Sequence, residues 1–233
     1  MVGHYFKWNG TDSRTKHIRV PNRIPIIRPE ERVQRITIPG RSGELTETEG
    51  ENVYNSYIQT IEISVDGLAN VHDVETWLKG EGQVVFDNQP QRSQKARIQG
   101  VVTLEKHSRN VDKWKGTVQF YCDPIKKDTA ESNITITSSG TTVNNPGDMT
   151  AYPLIAITGS GAITISAGGN TLTSPDSTSG WVVDSENEWI LSGTTPQGNV
   201  CSGNFPVLKP GSNTIAFTGS ITSLVITPRF RYM

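Results

Sequence analysis

The residue types that most often carry chemistry are scattered along this chain. The four histidines, His4, His17, His72 and His107, all lie in the first half. None forms an HExxH pair, and no cysteine stands at zinc-ligand spacing from them. Cys122 and Cys201 have no sequence neighbour that would activate a thiolate. They would pair only if the two halves of the chain packed closely there, so they read as free thiols of a reducing cytosol. Serines are many, but the GxSxG nucleophile elbow is absent. Gly10, Gly40 and Gly43 belong to no phosphate-binding loop. Asp184, Glu186 and Glu188 alternate in a way that invites calcium, yet a calcium loop needs more oxygen ligands and a turning glycine. The stretch Asp184 to Glu188 reads instead as a hairpin turn. Trp181, Trp189, Tyr152 and Phe205 offer rings for stacking on a glycan, against the alternative that the two tryptophans are core. The chain holds no catalytic constellation, and neither an enzyme nor a cofactor or metal is expected.

Charge is more informative than nucleophiles. Net charge is −1, so nothing global points to nucleic acid. Residues 1–41 carry nine Lys or Arg against Asp12, Glu30 and Glu31, a local charge of +6. After residue 130, Lys209, Arg229 and Arg231 face six acidic residues, a local charge of −3. Such asymmetry favours two domains. It is sharpest around Ile36-Thr37-Ile38-Pro39-Gly40-Arg41-Ser42-Gly43-Glu44-Leu45. Arg28, Arg32, Arg35 and Arg41 lie on the basic side, and Glu44, Glu47, Glu49 and Glu51 on the acidic side. Pro39 removes a ladder donor, and Gly40 and Gly43 permit positive φ, so the chain turns here. The segment reads either as an ordinary turn with solvated charges or as a projecting hairpin whose arms pair with a neighbouring subunit.

The elements around these residues are mostly strands. Tyr5 to Trp8 alternates and meets the turn pair Asn9-Gly10. Ile18 to Val20, Ile24 to Ile27 and Val33 to Ile38 are short strand candidates. Glu44 to Asn55 is acidic and without period. Tyr57 to Val65 is a half-buried strand with Tyr57, Gln59, Ile61, Ile63 and Val65 on one face. Asn70 to Leu78 is a helix, capped by Asn70 and ended by Gly80, with Val71, Val74, Trp77 and Leu78 inward. Gln83 to Phe86, Arg97 to Leu104 and Trp114 to Tyr121 follow, and Pro124 closes the domain. The second half is rich in Thr, Ser, Gly and Ile, with short strands between frequent turns, the pattern of a β-sandwich. The expected organisation is all-β: a β-barrel or sandwich with one helix over 1–125, its projecting arm at about 28–57, a linker over 126–133, and a sandwich over 134–233. The start of the chain has no apolar core of signal-peptide length, and no apolar run approaches the roughly 20 residues that span a bilayer.

Several of these stretches recur, in this order, in a known family. They are Tyr5-Phe6-Lys7-Trp8-Asn9-Gly10 with Asp12-Ser13, Ile38-Pro39-Gly40-Arg41-Ser42-Gly43, and Phe120-Tyr121-Cys122-Asp123-Pro124. Further on come Val183-Asp184-Ser185-Glu186, Gly203-Asn204-Phe205-Pro206-Val207-Leu208-Lys209-Pro210-Gly211-Ser212-Asn213, and Pro228-Arg229-Phe230-Arg231. The chain resembles the distal tail proteins of long-tailed, siphovirus-type bacteriophages over nearly its whole length. The resemblance implies a tail-tube-like N-terminal domain and a galectin-like jelly-roll C-terminal domain. It further implies a homo-hexameric ring at the virion tail tip, assembled in the host cytoplasm. Such a ring would join the tail tube protein to baseplate, tip and receptor-binding proteins, with DNA passing through its lumen and no membrane insertion. The sugar site of galectins uses a histidine and cannot be carried over, because the second half has none. The alternatives are a carbohydrate-binding module using Trp181 or Trp189, and a tail-tube protein proper.

Overall fold

The computed structural model describes residues 3–48, 50, 52–177 and 180–233. The chain divides into two compact units, residues 1–129 with Met233, and residues 130–232.

In the first unit the strands are β1 (Phe6–Trp8), β2 (Thr11–Asp12), β3 (Ile18–Arg19), β4 (Val33–Thr37), β5 (Glu44–Thr48), β6 (Tyr57–Asp66), β7 (Glu81–Phe86), β8 (Arg92–Ser108) and β9 (Val111–Asp128). The helix α1 (Leu68–Trp77) lies between β6 and β7. The main sheet runs β2-β1-β7-β8-β9-β6-β3, all antiparallel. Asn9 and Gly10 both take positive φ, 49° and 79°, which gives the tight β1–β2 turn its twist. The alternation of β6 puts Ile61, Ile63 and Val65 at 3% exposure or less, while Thr60 and Glu62 face outward. Phe120 of β9 is the centre of an aromatic cluster, with Phe6, Trp8 and Phe86 at ring distances of 5.2, 5.6 and 5.8 Å. Trp77 stacks on Phe6 at 5.9 Å, and Val71, Val74 and Leu78 seat the helix on this core.

Several details differ from the sequence reading. The helix starts at Leu68, not Asn70, and Asn70 does not cap it. Gly67, at φ 90°, offers no side chain, and the cap comes from β9, where the Asp112 carboxylate accepts the Leu68 N–H at 3.1 Å. Asn70 instead donates to the Asp66 carbonyl at 2.6 Å. Nor does Pro124 end its strand. The β8–β9 register jumps between Gln94–Lys126 and Ala96–Cys122, so Pro124 sits in a bulge where its missing N–H breaks no ladder bond. The strand continues to Asp128 and takes in part of the stretch read as linker, with Lys126 buried. Ile24 to Ile27 forms no strand; Ile24 is buried and Ile26 is exposed.

The second unit contains β10 (Ile134–Ile136), β11 (Thr141–Asn145), β12 (Leu154–Ala167), β13 (Asn170–Ser177), β14 (Trp181–Asp184), β15 (Trp189–Ser192), β16 (Thr195–Pro196), β17 (Ser202–Gly203), β18 (Gly211–Thr227) and β19 (Arg231–Tyr232). It is an antiparallel β-sandwich in which β12 and β18 run through both layers as a pair. Leu154 to Ser160 pairs with Ser220 to Thr227, the register breaks, and Thr164 to Ser166 resumes against Ala216 to Thr218. Glycine makes the bend possible. Gly219 takes φ 94°, and a Cβ there would lie 2.2 Å from the Ala162 carbonyl oxygen. β14, β15 and β16 extend one layer, and β13 with β17 the other. Ile155, Ile165, Ile190, Leu208, Ile215, Leu224 and Ile226 fill the space between at 2% exposure or less.

Candidate assembly interface

β4 and β5 pair with each other and with no other strand among the described residues. Their register sets Ile36 opposite Leu45, Gln34 opposite Glu47, and Arg35 opposite Thr46. Two backbone bonds clamp the base of the hairpin: Arg32 N–H to the Val53 carbonyl at 2.9 Å and Asn55 N–H to the Glu30 carbonyl at 2.8 Å. A turn with the Arg41 N–H donating to the Ile38 carbonyl at 3.2 Å, and positive φ at Gly40 and Gly43, closes the far end. Every residue of β5 is exposed, as are Gln34, Arg35 and Thr37 of β4. The segment is thus a two-stranded hairpin with exposed charges.

The acidic and basic arms do not satisfy each other. Alternation puts Gln34, Ile36, Leu45 and Glu47 on one face, and Arg35 with Glu44 on the other. Among the described residues, Arg28, Arg35, Arg41, Glu44 and Glu47 enter no ion pair. Arg32 is held at the base, its Nε donating to Asn55 Oδ1 at 3.2 Å. Glu49 and Glu51 lie outside the described residues. An isolated two-stranded ribbon is marginal in water. This one has no core and a pair of exposed apolar side chains, Ile38 and Leu45, each at 37%.

The main sheet of the first unit is also incomplete at its sides. β3 covers β6 only at Ser64 and Val65, which leaves residues 57–63 without a strand partner on that side among the described residues. β7 covers β8 only from Gln94 to Arg97, which leaves residues 99–108 similarly open. Unpaired edges are templates for adding a strand. The outer face of this sheet carries Ile58 at 44% and Tyr121 at 45% exposure, cross-strand neighbours that the sequence reading did not single out. The period-2 pattern was the available signal: if Phe120 points inward, Tyr121 points out.

Trp181 is 3% exposed inside the second core, so neither ring face is open to a sugar; Trp189 is half-buried. The Asp184 carboxylate is occupied: it accepts from Arg229 at 2.7 and 3.1 Å, from the backbone N–H groups of Glu186 and Asn187, and from Asn187 Nδ2. Burial alone would raise this carboxyl; the Arg229 guanidinium and the Asn187 bonds outweigh it and hold the pKa at about 2. Burial pushes the Cys122 thiol up to about 12, and Cys201 is raised by the same cause. Both cysteines are free. Among the described residues no group of three or more His, Cys, Asp or Glu is placed to hold a metal, and no helix is long and apolar enough to cross a membrane.

No family model matches the sequence, and no curated protein sequence matches it. A solved structure does match. It is the SPP1 Dit (gp 19.1) protein, described as a paradigm of the hub adsorption apparatus in phages that infect Gram-positive bacteria. The TM-score is 0.74 at 18% sequence identity, over 99% of each chain. Identity that low is evidence of shared architecture alone, and the match spans both units: the chain has the Dit fold.

Proposed function

We propose that this protein is a structural component of a long-tailed phage tail tip: a hexameric ring that joins the tail tube to the tip and receptor-binding apparatus and leaves a channel for DNA. The observation that carries this reading is the incompleteness of the first unit. Among the described residues its charged hairpin pairs with no strand outside itself, and β6 and β8 are left open on opposite sides of one sheet. Two different unpaired surfaces on one subunit suit a heterologous contact, which closes into a ring when the rotation allows. The Dit fold of the whole chain supports the same role. The buried Trp181 weighs against a glycan module built on that ring.

Light scattering and negative-stain microscopy of the purified protein test the reading. The expected result is discrete rings. Filaments would favour a tube protein, and a monomer at every concentration and salt would overturn the ring. Replacing residues 33–52 with a short turn, which leaves the 30–55 base bond in place, is expected to give folded monomers; rings that persist without the arm would remove it from the interface.

A further inference from the structure

The sequence contains a single Asn-Gly step, Asn9-Gly10, in the two-residue loop between β1 and β2. An asparagine before glycine is the one most open to attack by its own backbone, because glycine sets no side chain beside the attacking nitrogen. In that reaction the Gly10 nitrogen loses its proton and bonds to Asn9 Cγ. The Cγ–Nδ2 bond breaks and ammonia leaves. Water then opens the cyclic imide at either carbonyl, giving aspartate or isoaspartate. Both residues are exposed, and a Cβ on Gly10 would meet nothing within 4 Å. Access of water therefore does not limit the reaction.

What limits it is the hold on the side chain. Asn9 continues the β1–β7 ladder, its N–H donating to the Gln83 carbonyl at 2.9 Å. Its backbone then turns away at φ 49°, and its side-chain Oδ1 accepts the Gln83 N–H at 2.9 Å, standing in for a ladder carbonyl. The amide lies over Gly82. A Cβ there would fall 1.8 Å from Asn9 Oδ1 and 2.5 Å from both Cγ and Nδ2. Glycine at 82 serves this fit and not its own backbone, since its φ lies outside the left-handed region. We propose that Asn9 is a modification site of this protein, an asparagine that converts to aspartate and isoaspartate only when its amide leaves β7, with Gln83 and Gly82 as the guard. Closing the imide ring requires Cγ to leave β7 and turn onto the Gly10 nitrogen. Isoaspartate adds a methylene to the main chain directly after Trp8, whose ring packs on Phe120 at 5.6 Å. The modification thus loosens the β1 edge of the first unit. This inference is independent of the ring reading.

The test follows residue 9 by peptide mapping of the full-length protein during incubation at mildly alkaline pH. Three samples are compared: folded wild type, wild type unfolded in guanidinium, and Gly82→Ala. In guanidinium, Asn9 is expected to convert before every other asparagine of the chain. In the folded protein its conversion should be at least about tenfold slower, the factor that one protected hydrogen bond supplies. Gly82→Ala, whose methyl displaces the amide, should remove most of that protection while the circular dichroism stays native. Protein rich in isoaspartate at residue 9 should melt below the unmodified protein. A different asparagine converting first in the unfolded chain would overturn Asn9 as the site. Equal rates in folded and unfolded wild type would overturn the guard, whether or not Gly82→Ala folds, and so would a folded Gly82→Ala no faster than wild type. An unchanged melting temperature in the modified protein would overturn the loosening of β1.

Discussion

Two hairpins in this molecule carry similar sequence signals and end in opposite situations. β4–β5 and β14–β15 are both short antiparallel pairs with acidic residues near a turn. In β14–β15 the acid is answered inside the chain. Asp184 is 2% exposed, folds the turn onto itself by accepting two backbone N–H groups, and receives Arg229 from 45 residues away. Arg229 takes a left-handed backbone, φ 54°, in delivering its side chain. In β4–β5 no described residue returns to meet Arg35, Glu44 or Glu47. A charged hairpin is thus a structural staple or an unsatisfied contact surface according to whether a distant element comes back to it. Only the second kind has a reason to seek another molecule.

The contrast breaks first at Arg229. Arg229→Ala leaves the buried Asp184 charge without its cationic partner, and the second unit is expected to lose about 3–5 kcal/mol in urea denaturation. A loss below about 1 kcal/mol would place this pair with ordinary surface ion pairs and erase the distinction. Acid probes the same staple more gently. The Asp184 pKa is lowered when folded, so its contribution is fully present above the unfolded value near 4 and is lost as pH falls through about 2. Between those limits the wild type should lose about 2 kcal/mol that an Asp184→Asn variant, already destabilised at neutral pH, does not lose. An equal acid response in both would assign the loss to other carboxylates. The smallest effect belongs to the arm. Arg35→Ala and Glu47→Ala should change the stability of the isolated subunit by no more than about 0.5 kcal/mol, measured by thermal melting under dissociating conditions. A larger cost would mean that these charges already have partners within their own subunit.

Much of the first unit is legible in the sequence because its signals are local. The alternation from Tyr57 to Val65 is the inward and outward pattern of β6, and Asn9-Gly10 makes the turn it announces. The helix is visible from Val71, Val74 and Leu78, but its cap is not, since Asp112 arrives from another strand. Pro124 misleads for the same reason: whether a proline breaks a strand depends on a register set by β8. In the second half, Pro153 to Thr158 and Ala162 to Ala167 read as separate strands, as do Asn213 to Thr218 and Leu224 to Arg231; they fall largely within β12 and β18, because turn-like glycines there bend a continuous ladder and do not end it. The arm's charges are readable as a list of residues; their lack of partners is not.

By itself the sequence determined the all-β character, the change of composition between the halves and the hinge at Pro39-Gly40. These follow from side-chain period and turn stereochemistry, which act over a few residues. The tertiary structure alone decided that Arg229 neutralises Asp184, that Trp181 is closed to ligands, and that Ile58 and Tyr121 are neighbours on one open face. Those outcomes are set by which distant strands become neighbours, and that is decided by burying the apolar faces of the whole unit at once.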